Sequence, residues 1–340
     1  MCYVISLSSQ KQVSRAIKNA QSVLLTAYML RPGRMLDALE DAARRGARVT
    51  VRLEGRPYAD ATGELAATNR AAIKVLRRLG ADAKLADTNA RNGPALHMKA
   101  AICDGVAYLD DRNWPGRGDT IVRDDFRADV AAIESAALQR RADHTQEFWT
   151  NKRDALWAER RLLAGATNAK PVDVESESFG TGSGAYGALK LLARSGVACR
   201  LVVARRDLND KSKRALASLA QAGVAVRVSD CDEKMAIVDR TRAWTGSANA
   251  TSSYANGVIK SNGVYALMRL ACSSICRGAL IRLGTLRLFS KTSASSCVSS
   301  NAGSERLSSR ALRALGSSVV RQAHHDNALK APRLNSHDLR

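Results

Sequence analysis

Two stretches of the chain place side chains suited to phosphate chemistry at matching positions. The first, "HMKAAICDGVAYLDDRNW", holds His97, Lys99, Asp104 and Asn113. On a strand, His97 and Lys99 are two apart and project from one face. Asp104-Gly105 is a hairpin turn signal. The returning segment, Val106 to Leu109, brings Asp110 to Asn113 back beside them. One face then offers a nucleophile or base, a fixed cation and an amide donor. That set suits a phosphate ester, with imidazole attacking phosphorus while Lys99 and Asn113 hold the non-bridging oxygens.

The second stretch, "CDEKMAIVDRTRAWTGSANAT", holds Lys234, Asp239, Gly246, Ser247 and Asn249. Asp232 stands where a histidine would match His97. Two readings of Asp232 are open. One is a carboxylic acid of raised pKa that serves as the general acid. The other is a surface acid in a decayed half-site, kept charged by two lysines. Glu233 should point to the opposite face of its strand.

The elements that must position these residues form an internal repeat. The first copy runs through "VLLTAYML", "MLDALEDAARRGARVTVRLEG", "IKVLRRLGADAKLAD" and the first hairpin. The second runs through "VDVESESF", "YGALKLLARSGVACRLVVARRD", "LASLAQAGVAVRVSD" and the second hairpin. The helices show apolar spacing of three to four residues, as in Leu36, Leu39, Ala42 and Ala43. They end at Gly46, Gly80, Gly196 and Gly223, where a left-handed cap is required. The segments that follow are short and β-branched. Alternating strand and helix predicts an α/β fold with a largely parallel or mixed sheet, flanked by helices, in each copy. The expected organisation is a first repeat over 1–165, with a polar linking helix from about 126 anchored by Phe148-Trp149. A second repeat follows over 166–260. A basic, Ser-rich tail spans 261–340, with twelve Lys/Arg against three acids; its faded periodicity predicts poor order beyond Ser290.

With both hairpins in hand, the sequence resembles the phospholipase D superfamily, and within it bacterial proteins with a degenerate second motif. The family motif is HxKxxxxD followed by GSxN, used twice. His97, Lys99 and Asp104 match its first part, while the GSxN element is degraded to "DDRN", keeping only Asn113. Lys234, Asp239, Gly246, Ser247 and Asn249 match in the second copy, where Asp232 replaces the histidine. The resemblance covers about residues 20–255. It implies two phospholipase D-like repeats packed about a pseudo-twofold axis, with the site at their junction. It further implies hydrolysis or alcohol transfer of a phosphodiester, without a metal or other cofactor, through a phosphohistidine on His97. Lys99, Lys234, Asn113, Ser247, Asn249 and Gly246 would bind the phosphate. Asp104 and Asp239 would be turn and scaffold acids. In the family a later acid orients the histidine; Asp119 fits that role best and Asp124 less well. The substrate the resemblance implies is a phosphodiester, with phospholipid preferred over nucleic acid on family grounds.

Composition is compatible with this reading. A net charge of +21 over 340 residues points to anionic partners: nucleic acid, phosphodiesters or an anionic membrane surface. No obligate protein partner is evident. Aromatic residues make up 4%, which leaves no base-stacking platform for single strands. Seven singly scattered cysteines read as reduced thiols in a cytoplasmic setting. Neither a signal peptide nor an apolar run of ~18 residues is visible. A rival glycine pattern, Gly182, Gly184 and Gly187 with Asp207 downstream, has the spacing of a dinucleotide loop. Its preceding strand is unusually polar for such a fold, and the first copy has no equivalent glycines.

Overall fold

The computed structural model describes residues 6–57, 60–86, 95–114, 121–139, 145, 148–166, 171–230, 233–240 and 242–250, and the backbone of 261–268. The described residues all fall within one compact unit, Met1–Arg287; residues 288–340 lie outside the described residues.

The first repeat begins with β1 (Ser6–Ser8), α1 (Gln10–Asn19), β2 (Ser22–Ala27), α2 (Arg34–Arg44), β3 (Arg48–Glu54), α3 (Glu64–Arg78) and β4 (Asp82–Ala86). It continues with β5 (Ala95–Leu96), β6 (Ala100–Cys103), β7 (Val106–Leu109) and β8 (Ile121–Asp124). Then come α4 (Arg127–Gln139), β9 (Phe148–Asn151) and α5 (Lys152–Ala164). The second repeat holds β10 (Val172–Ser176), α6 (Gly184–Arg194), β11 (Cys199–Ala204), α7 (Asp210–Gln221), β12 (Ala225–Ser229), β13 (Met235–Val238), β14 (Arg242–Gly246) and β15 (Ser261–Met268).

Local sequence explains these elements. Ser9 and Gln12 close a capping box that starts α1. On α2 the residues Met35, Leu36, Ala38, Leu39, Ala42 and Ala43 turn inward. Gly46 and Gly196, at φ +84° and +83°, let α2 and α6 give way to the next strand.

The first sheet has the order β1-β8-β7-β6-β2-β3-β4, and the second β12-β11-β10-β13-β14-β15-β5, with β9 also on β15. In each, three strands are parallel (β2, β3, β4; β10, β11, β12) and the hairpin strands are antiparallel, so both sheets are mixed. Neighbouring residues of the central strands enter different cores. Ala101 and Cys103 join the core under α1, α2 and α3, while Ala100 and Ile102 face the other way. Ala236 and Val238 join the core under α5, α6 and α7, while Met235 and Ile237 face the other way. The two inner faces share one cluster with α4 residues Val130 and Ile133 and with Phe148. Strands buried on both faces read as continuous apolar runs, as these do. Cys103 and Cys199 are free and buried, and burial pushes their thiols up to about 12 and about 11.

Two expectations change. The linker is not one helix: α4 and α5 are separated by β9, whose Phe148 and Trp149 are buried against the core. β-Propensity of the aromatic pair and the unpaired edge of β15 outweigh the helical composition around it. The second sheet does not end at 260, because β15 supplies the partner that β14 needs on its open side. The charge content of 261–340 masked a short apolar run, Val264–Met268, within that strand. The rest of the predicted tail lies outside the described residues.

Candidate active site

The two hairpins match pair for pair in their ladder bonding, on turns of two residues in the first and three in the second. Ala100 pairs with Leu109, and Met235 pairs with Thr245. The Asp110 N–H then donates to the Lys99 carbonyl at 3.0 Å, and the Gly246 N–H to the Lys234 carbonyl at 3.2 Å. Further on, Trp114 bridges to Leu30 and Ala250 to Phe179. Asp110, Asp111 and Asn113 therefore occupy the places of Gly246, Ser247 and Asn249. By the same count Tyr28 corresponds to Glu177, each two residues before its bridge.

His97 and Lys99 lie on the link between β5 and β6, not inside a continuous strand. β5 has left the first sheet to pair with β15 of the second, so the strand breaks at His97. The link is fixed from behind by Glu54, whose buried carboxylate accepts the Leu96 N–H at 2.6 Å. Lys99 remains beside His97, with Nζ 2.9 Å from Nδ1 and 3.2 Å from Nε2. The Tyr28 ring lies 5.0 Å from the His97 ring and 5.6 Å from Lys99 Nζ, centroid distances. Asn69 of α3 pins the Tyr28 segment by donating to the Tyr28 and Glu54 carbonyls and accepting from the Leu30 N–H.

The second repeat approaches through Lys234. Its backbone N–H donates to Asp111 Oδ2 at 2.5 Å, and its Nζ meets Glu177 Oε2 at 2.9 Å. Glu177 is also paired with Arg206. Burial, then the charge of Lys234, hold the Lys99 ammonium well below the usual lysine range; Glu177, Asp111 and Asp110 oppose this. Lys99 and Lys234 thus feel each other across the repeats. Burial works to raise the Glu177 carboxyl, but Lys234 and Arg206 outweigh it and keep it below its ordinary value. Behind these groups Arg112 is paired with Asp110 (3.1 Å), Asp111 (3.2 Å) and Glu233 (3.6 Å), all buried. Burial lifts the Asp110 carboxyl well above the carboxylate range.

Gly246 and Ser247 are buried at the end of β14. Asn249 Oδ1 accepts the Ser178 N–H at 3.1 Å, whereas the buried Asn113 Oδ1 has no hydrogen-bond partner among the described residues. Asp104 and Asp239 sit in the hairpin turns at φ +47° and +61°. Asp119 and Asp232 lie outside the described residues. Asp124 is level with Ala107, at the turn end of β7 and away from the Asp110 end, so it does not orient His97. Strand direction decides this, and linear spacing did not carry it. Tyr28, Glu177 and Arg112 were not singled out by the sequence; aligning "LTAYML" with "VESESF" within the repeat finds the first two. In the glycine-rich loop, Ser183 caps α6, the Gly184 position lies against Arg160, and Asp207 accepts from Ser178, so that carboxylate is engaged within the protein. Among the described residues, no group of three or more His, Cys, Asp or Glu is placed to hold a metal ion, and no helix is long and apolar enough to cross a membrane.

Residues 160–261 match the family model described as cardiolipin synthase, PLD-like domain. No curated protein sequence matches the chain significantly. Among solved structures, polyphosphate kinase from Porphyromonas gingivalis is similar with a TM-score of 0.57 at 14% identity, over 83% of this chain and 46% of that one. This chain therefore spans less than half the length of that kinase. Phosphatidylserine synthase from Haemophilus influenzae Rd KW20 is similar with a TM-score of 0.54 at 10% identity, over 96% of both chains. At such identities the likeness is one of fold. Residues 160–261 thus match a PLD-like domain, and the chain as a whole shares its two-sheet α/β fold with that synthase.

Proposed function

We propose that the protein is a phosphodiesterase in which His97 attacks phosphorus and forms a phosphohistidine. The observation that carries this is the pairing of the His97 ring with Lys99 at 2.9 Å, with Lys234 close enough to act on Lys99. The two ammonium groups would hold the non-bridging oxygens, and a bound phosphate anion would restore the charge that burial discourages on Lys99. Asn113 and Asn249 would complete the cradle. The description of the matching family model, a cardiolipin synthase domain, supports a phospholipid over a nucleic acid as substrate.

A second reading has its own observation: Lys234 is already paired with Glu177, and acids replace Gly-Ser in the first hairpin. That favours a protein that only binds phosphate-bearing ligands. Turnover of bis(p-nitrophenyl) phosphate separates the two. The enzyme should release nitrophenolate, and His97→Ala should lose at least 1,000-fold, on the scale of removing a covalent nucleophile (~10⁶ in a serine protease). Equal rates for wild type and His97→Ala would leave the binding reading.

A further inference from the structure

A phosphohistidine must be hydrolysed, and the second half-site has no histidine to take the proton. We propose that Glu177 is the general base of that step, an inference that rests on the phosphodiesterase reading above. In the first step a nitrogen of neutral His97 forms the P–N bond as the bond to the leaving oxygen breaks; that oxygen keeps the bonding pair and, where it is an alkoxide, takes a proton from solvent. In the second, a water oxygen forms a new P–O bond and the P–N pair returns to the imidazole. The water's proton passes to a Glu177 oxygen and from there to solvent. Attacking and leaving atoms lie roughly in line at phosphorus, so water enters opposite His97, from the side of the second repeat.

Geometry on that side singles out Glu177. Its Oε2 is 2.9 Å from the ammonium of Lys234. A phosphate oxygen on the same ammonium would sit at about the same distance, ~2.8 Å. The carboxylate is then one water away from phosphorus, the reach a general base needs. It is fixed there by Lys234 and Arg206. The loop that carries it is held by the Ser178–Asn249 hydrogen bond. Its side chain is 26% exposed, so water can enter and the proton can leave. The other described acids of the cluster do not qualify. Asp110, Asp111 and Glu233 are at most 5% exposed and are paired with Arg112. In the first repeat the same place holds Tyr28, which packs beside the nucleophile. Lys234 and Arg206 keep the Glu177 carboxyl ionised at neutral pH, ready to accept. A weak base is enough here, because imidazole is a good leaving group from phosphorus.

The full chain with bis(p-nitrophenyl) phosphate tests this, since nitrophenolate leaves without a proton and isolates the second step. Glu177→Gln should release one nitrophenolate per chain in a burst and then turn over about 100-fold or more slowly. Intact mass at alkaline pH should show the adduct accumulating, and it should be absent in His97→Ala. Glu177→Asp should recover part of the steady rate. Unchanged turnover in Glu177→Gln overturns the proposal. So does an equal loss of burst and steady rate with no adduct, which marks a binding or structural role. A stall in Asp232→Asn alone would assign the role to Asp232 instead. No burst, no turnover and no adduct in any protein, wild type included, overturns the phosphodiesterase reading and this inference with it.

Discussion

At the end of β2 the first repeat places Tyr28 beside His97 and Lys99; at the end of β10 the second places Glu177 against Lys234. The return strands differ in the opposite sense. After β7 come two acids, Asp110 and Asp111, whereas the matching end of β14 holds the uncharged Gly246 and Ser247. Yet the backbone hydrogen bonds at these positions agree in the two copies. A fold held by main-chain bonding lets its side chains diverge, provided that buried charge stays balanced. Here the balance is struck across the repeats. Asp111 of the first accepts from the Lys234 backbone, and Arg112 of the first meets Glu233 of the second. The two half-sites are therefore one charge cluster, and neither can be altered without consequence for the other.

Arg112→Met should break this arrangement with the largest effect. Arg112 is 5% exposed and faces three buried carboxylates. Removing one partner of a buried ionic network leaves uncompensated charge, at about 3–5 kcal/mol. Urea denaturation should show that loss at neutral pH, and it should shrink in acid as Asp110 protonates. A loss under 1 kcal/mol would mean that Lys99 and Lys234 already balance the acids.

The outer helices sharpen the comparison. No acid is buried on α1, α2 or α3, but α5 buries Glu159 among apolar residues. Burial alone raises its carboxyl to about 8. The folded state then binds a proton that the unfolded state releases above pH 4.5, so stability falls as pH rises from about 4.5 to about 8. Glu159→Gln should remove this slope and gain up to a few kcal/mol at pH 8. Parallel stability curves for the two proteins would show that Glu159 is charged in the fold.

Much of this arrangement was legible in the sequence, and what was not has physical causes. The repeat, the α/β order and the hairpin turns follow from period, glycine placement and turn chemistry, all local signals. The register that makes Asp110 the counterpart of Gly246 follows from counting back from each turn. Legibility stops where partners are distant in sequence. Nothing local to "ALHMK" says that Ala95 and Leu96 pair with β15, or that Glu54 holds Leu96. Asp124 has a plausible spacing from His97, but strand direction carries it to the other end of β8. Glu177 looked like one more acid in a polar strand until its neighbour Lys234 was placed beside it.

The smallest expected effect separates the two turn acids. Asp104 and Asp239 both have positive φ, so alanine at either position carries a strain of about 1 kcal/mol. Their carboxylates differ. That of Asp104 accepts from the Gln21 and Ser22 N–H groups and so fastens the hairpin to the start of β2. That of Asp239 is paired with the partly exposed Arg242. Asp104→Ala should therefore cost about 2 kcal/mol and Asp239→Ala about 1 kcal/mol. Glycine removes the strain at both, which isolates the carboxylate. Asp239→Gly should be close to neutral, while Asp104→Gly should still lose about 1 kcal/mol by thermal or urea unfolding. Equal losses in the two glycine variants would mean that both acids secure their hairpins alike, and that the asymmetry of the repeats is confined to the site.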